Sequence, residues 1–134
     1  FHAVAPCITE TFDPTMFARL SDDIGALDRL ADSLAVAGGG DQLKLVCQRY
    51  YYAGLVACIE NLCLSPHGVS SIERSARLHD MLEAQRTRQM VAALKGNHRG
   101  LGLLYGSIAS VKPMRCALYT HLAAFFNRSG VRTV

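Results

Sequence analysis

The chain has 134 residues, half of them hydrophobic and 19% charged, with a formal net charge of +3. A chain of this length buries roughly two-thirds of the surface its unfolded form exposes, so a single domain needs neither disulfides nor a metal to hold it together. The composition excludes a disordered or solvating chain, and so small a charge does not by itself imply nucleic acid, whose binders concentrate Lys and Arg on one face.

Residues 1–12 contain Pro6 and show no helical period, so they read as an extended arm. The chain opens on Phe1 without a charged leader and an apolar run, which suggests a piece of a longer polypeptide. Asp13-Pro14 resembles an N-cap followed by proline at the first helical position and predicts a short helix to Leu20. Ser21 is a candidate cap for a second helix, with Ile24, Leu27, Leu30, Ala31 and Leu34 as its buried stripe and Asp22, Asp23, Asp28, Arg29 and Asp32 outside. Gly38-Gly39-Gly40 ends that helix.

From Asp41, a candidate N-cap, to Leu64 the residues are apolar on almost every side of the helical wheel: Leu43, Leu45, Val46, Cys47, Tyr50, Tyr51, Leu55, Val56, Cys58, Ile59, Leu62 and Cys63. A helix of that kind has to be surrounded, which makes it the centre of a helical assembly. Ser65-Pro66-His67-Gly68 breaks it, and Ser70 with Glu73 forms a capping-box pattern opening a helix to about Lys95. On that helix Ile72, Leu78, Leu82, Met90, Ala93 and Leu94 form the apolar arc, Thr87 and Arg88 fall on the opposite side, and Glu73 with Arg77 makes an i,i+4 pair. Gly96-Asn97 stops it. A short helix around Leu103–Val111 follows, with Gly102 and Gly106 spaced to admit a close neighbour. Lys112-Pro113 starts the last helix, whose main stripe is Met114, Ala117, Leu118, His121, Leu122 and Phe125. The tail, residues 129–134, includes a possible strand from Val131 to Val134. The expected fold is an all-α, single-domain bundle of five to six helices over residues 13–128, around a buried central helix at about 42–64.

No constellation points firmly to chemistry. Cys58, Cys63 and His67 have a zinc-like spacing, but cysteines five apart point about 140° away from each other on a helix. The odd count of five cysteines, mostly in apolar runs, reads as reduced core thiols in an intracellular protein, cytoplasmic or nuclear. His79 lies four residues before Glu83, a spacing that suits either an oriented general base or a surface pair. The glycines at 100, 102 and 106 lack the dinucleotide pattern, since Tyr105 stands where a glycine is required. The sequon at Asn127 matters only for a secreted chain, and Tyr50–Leu64 is too short to span a bilayer. No metal, cofactor or catalytic residue is expected.

Two irregularities suggest protein contact. His79 and Arg86 interrupt the inward arc of the Ser70 helix, and Tyr119 and Phe126 widen the apolar face of the last helix. The expected function is therefore a non-catalytic protein–protein interaction or assembly module. It would bind another chain, the same or different, through the last helix and the N-terminal arm. The alternative is nucleic-acid binding through a basic stripe of Arg74, Arg77, Arg88, Lys95 and Arg99 on the helix at about 71–95. A third class is a ligand pocket around Tyr50, Tyr51, Cys58 and His121.

Overall fold

The computed structural model describes residues 12–35, 38, 40–65, 69–96, 100–102 and 104–128. These residues form an all-α bundle of six helices. They are α1 (Met16–Ala35), α2 (Gly40–Leu64), α3 (Ser71–Glu83), α4 (Gln85–Leu94), α5 (Leu104–Ala109) and α6 (Pro113–Arg128). Helix α2 is the hub, packed against α1, α3, α4 and α6. Its Tyr51, Leu55, Ile59 and Leu62 lie at the heart of one continuous core with Ile24, Leu78, Leu82, Met90, Leu94, Ile108 and Cys116.

Asp13 starts α1 as its sequence suggests. Its carboxylate accepts the backbone N–H of Thr15 at 2.9 Å and the Thr15 hydroxyl at 2.7 Å, and these bonds hold its pKa below the usual value. Ser21 does not restart the helix as expected: α1 runs through it unbroken, and its hydroxyl donates to the Phe17 carbonyl one turn back. Ile24 and Ala31 are buried on α1, whereas Leu30 and Leu34, expected inside, are exposed. Helix α2 begins at Gly40, so Asp41, expected as its cap, falls within its first turn instead. The expected arm, residues 1–12, lies outside the described residues except for Phe12, as does the tail from 129.

Helices α1 and α2 approach closely at Gly54, where a β-carbon would collide with the side chain of Leu20. Gly102 and Gly106, expected to serve such an approach, do not: a β-carbon on either would meet nothing, and Gly102 is set instead by its left-handed φ of 84°.

The helix expected from Ser70 to Lys95 is two helices. Ser70 caps the first by accepting the Glu73 N–H at 3.2 Å, and the chain breaks at Ala84, whose ψ is 139°. Carried through as one helix, the burial of Leu78, Met81 and Leu82 would recur at 85, 89 and 92, which are exposed; Thr87, Met90 and Leu94 are buried instead. The break strips the carbonyls of Met81 and Leu82 of their helical partners. Side chains from the next turn replace them: the Thr87 hydroxyl donates to Met81 O at 2.7 Å, and Arg88 Nε to Leu82 O at 2.8 Å.

Helix α5 ends in a turn where Lys112 N–H bonds Ser107 O at 3.0 Å and Val111 N–H bonds Ile108 O at 3.2 Å. This is a Schellman arrangement with valine, at φ 53°, in the position glycine favours. It delivers Pro113 as the start of α6.

Candidate functional site

The last helix is apolar around most of its circumference, so its sequence does not dictate which side turns in. The space beside it is already taken by the rings of Tyr52 and Tyr105, 6.2 Å apart. Small residues therefore fit inward: Cys116 and Thr120 are buried, with Ala117, Ala123 and Ala124 half-buried. The large side chains are left outside. Met114 is 81% exposed, Leu118 55% and Phe125 56%, with Leu122 on the same side. This reverses the expected orientation, in which Met114, Leu118, Leu122 and Phe125 belonged to the buried stripe. Their spacing of 4, 4 and 3 residues makes a line roughly 16 Å long. His121, expected near the core, is exposed on the same side.

Tyr119 and Phe126, expected to widen the apolar face of this helix, are half-buried and line a groove of about 460 Å³ between α2 and α6. Tyr52, Val56, Leu101 and Leu104 form its floor and far wall, and Leu122 joins it to the outward line on α6. Glu60 stands at its rim, where desolvation by the apolar wall raises its carboxyl above the ordinary carboxylate value. Central helix α2 is also less enclosed than expected. Val46 and Tyr50 are exposed, and Ala53, on the same strip, continues into the groove.

The other expected partner residues have separate fates. His79 is exposed, and no ion pair joins it to Glu83. Arg86 is turned inward: its guanidinium forms a two-pronged pair with Asp28 of α1, one arm at 2.9 Å, and stands 5.8 Å from the centre of the Tyr51 ring. It ties α4 to α1 and is not presented to a second molecule.

The five residues of the basic stripe are not brought into one line, because the break at Ala84 rotates α4 relative to α3. Arg77 pairs with Glu73 at 2.8 Å, as the i,i+4 spacing suggests, and stacks over Phe12. Arg74 is half-buried, with its Nε buried and unpaired. Arg88 is consumed internally, donating to Leu82 O and to the carbonyls of Ile108 and Ala109 at the end of α5. Lys95 is exposed, and Arg99 lies outside the described residues.

Four cysteines, Cys47, Cys58, Cys63 and Cys116, are buried free thiols. Burial pushes Cys58, Cys63 and Cys116 up to about 11, so they are protonated and poor nucleophiles at neutral pH. Among the described residues no three His, Cys, Asp or Glu side chains are placed to hold a metal ion, and His67 is not among those residues. The pocket expected around Tyr50, Tyr51, Cys58 and His121 does not form: the first and last are exposed, the middle two buried apart from them. No helix among the described residues is long and apolar enough to cross a membrane.

One sequence signal that marks this surface lies in the charge distribution. All eleven Asp and Glu fall within residues 1–83, beside six Lys and Arg, a formal −5; residues 84–134 carry eight Lys and Arg and no acid, a formal +8. Lys112, just before α6, and Arg115 within it are both exposed, while Glu60 of α2 stands at the groove that Leu122 borders. No protein-family model, curated protein or solved structure matches the chain.

Proposed function

We propose that the chain is a non-catalytic interaction or assembly module that binds another protein chain across α6 and the adjoining groove. The observation that carries this reading is the outward line Met114, Leu118, Leu122 and Phe125, continuous at Leu122 with the groove lined by Tyr119 and Phe126. Monomeric proteins rarely leave large apolar side chains aligned on one helix face unless something covers them. The buried free thiols support a reducing compartment, cytoplasmic or nuclear. The test is capture of partners with crosslinking mass spectrometry, comparing the native chain with a Leu118→Asp, Phe125→Asp variant. Loss of captured protein, with crosslinks through Lys112, is expected. An unchanged set of partners and crosslinks would refute the reading.

Nucleic-acid binding is the second reading, and the acid-free stretch after Glu83 favours it. Its cations would be exposed Lys95, Lys112 and Arg115 rather than Arg77 and Arg88, which are engaged within the fold. Affinity for oligonucleotides that falls steeply with salt, and is lost on Lys95→Glu with Arg115→Glu, separates it from protein binding.

A further inference from the structure

We propose that the partner of the interaction module anchors itself with a lysine or arginine, whose aliphatic stem lies in the groove between α2 and α6 and whose charge meets Glu60. This rests on the interaction-module reading and names the chemistry of what enters the groove.

The lining of the groove is apolar along its length and charged at its ends. On α2, Arg49, Ala53, Val56 and Glu60 follow one another at intervals of 4, 3 and 4 residues, so they fall within about 60° of one another around the helix. Ala53 and Val56 are thus framed by two opposite charges roughly 16 Å apart along the axis. Leu101, Leu104, Leu122 and Phe126 supply the remaining apolar surface.

Of the polar groups in the lining, one is left over. The Tyr52 hydroxyl donates to Leu101 O at 2.7 Å, and the Thr120 hydroxyl donates to Cys116 O at 2.7 Å. Arg49 is half-buried and already engaged within the chain. Glu60 differs from these. It enters no ion pair among the described residues, with Lys112 and Arg115 of the α6 region included. Desolvation by the apolar wall, with no cation close enough to oppose it, holds its carboxyl above the ordinary value.

A desolvated carboxylate without a counter-charge favours a cation beside it and opposes a second acid. Lysine and arginine are the side chains that carry a charge on several methylenes, so one such residue satisfies the apolar lining and the carboxylate together. A groove of about 460 Å³ exceeds one side chain, and apolar neighbours of the anchor fill the rest, continuing at Leu122 onto the outward line of α6. An acidic anchor would be repelled, and an aliphatic one would leave Glu60 desolvated and unpaired.

The first test is NMR titration of the purified chain at neutral pH with three probes of nearly equal size, phenylbutylamine, phenylbutanol and phenylbutyrate. The amine should bind about fivefold or more tightly than the alcohol, with the carboxylate weakest, and should shift the amide signals of Ala53, Val56 and Tyr119. Glu60→Gln should remove the preference for the amine while leaving the alcohol unaffected, and Ala53→Trp, shown to be folded by circular dichroism, should block all three. An amine no tighter than the alcohol, or a preference that survives Glu60→Gln, overturns the proposal. The second test uses the protein captured by crosslinking. Replacing the basic residue of its crosslinked segment by Glu should weaken binding about tenfold or more, and Glu60→Lys should restore it. If Leu118→Asp abolishes capture but the segment has no Lys or Arg, or its reversal changes nothing, the module reading stands and the anchor does not. Capture of no protein by the native chain, or retention of a small amine in its place in native mass spectrometry, removes both.

Discussion

A single hydroxyl sits at the centre of the core. Thr87 is fully buried, and because its one proton goes to Met81 O, Tyr51 must be the donor in the 2.8 Å bond between the two hydroxyls. The two partners are therefore not equivalent. Tyr51→Phe leaves Thr87 still bonded to Met81 O and should cost about 1 kcal/mol. Thr87→Val preserves shape but strands both the Tyr51 hydroxyl and the Met81 carbonyl, and should cost about 2–3 kcal/mol in urea unfolding. Equal losses would mean that the bonds are not arranged this way. Spacing alone places Thr87 on the outer side of its helix, because nothing in Glu83-Ala84-Gln85 announces a break. Alanine is the best helix former and offers no capping atom.

Glu60 gives a second residue-scale expectation. Its pKa is raised in the folded chain by desolvation at the groove, so ionisation favours the unfolded state. The penalty is absent below the ordinary value of 4.5 and develops as pH rises through the folded pKa. Glu60→Gln should therefore raise the melting temperature at pH 7 and lose that advantage at pH 4. A gain that persists in acid would point to something other than the carboxylate's charge.

At the scale of helices, the structure depends on joints that side chains complete. Arg88 supplies donors to carbonyls at the C-terminal ends of α3 and α5, where a cation also meets the negative ends of both helix dipoles. Arg88→Leu should cost about 3 kcal/mol, and Arg88→Lys should recover only part of it because an ammonium cannot span the same carbonyls. Recovery to native stability by lysine would show that charge alone suffices. The helices themselves were readable in outline: Asp13-Pro14, the glycine run at 38–40, Ser70 with Glu73, and Lys112-Pro113 all mark real starts or interruptions. What the spacing could not supply was orientation. In α6 apolar residues occupy most of the wheel, and the choice of inward side was made by the bulk of Tyr52 and Tyr105 from elsewhere in the chain. Tyr119 and Phe126, the expected contact residues, stand in the wall of the groove. Arg88 reads as a surface cation, and Arg86 as an interruption of the inward arc with no evident partner, because their partners, the carbonyls of α5 and Asp28, are remote in sequence.

For the molecule as a whole, the bundle meets its internal needs with α2, the paired helices α3 and α4, and the small residues of α6. Of its exposed large apolar side chains, Met114, Leu118, Leu122 and Phe125 stand on α6 and Val46 and Tyr50 on α2, with Leu30 and Leu34 on α1 and Ile72, expected in the buried arc, on α3. The division of charge between residues 1–83 and 84–134 is one that a net charge of +3 conceals. Stability and association are accordingly separable: replacing outward residues of α6 should alter binding while leaving the core intact.

The four methionines allow this to be read in one experiment, since Met81 and Met90 are buried, Met16 is half-buried and Met114 is 81% exposed. Oxidation of Met114 by dilute peroxide, measured by mass spectrometry against Met16, reports directly whether the α6 face is covered. Slowed oxidation of Met114 alone is expected when the chain passes from dilute solution to high concentration or to cell extract. Met114 oxidising at the same rate relative to Met16 under all of these conditions would contradict an occupied face.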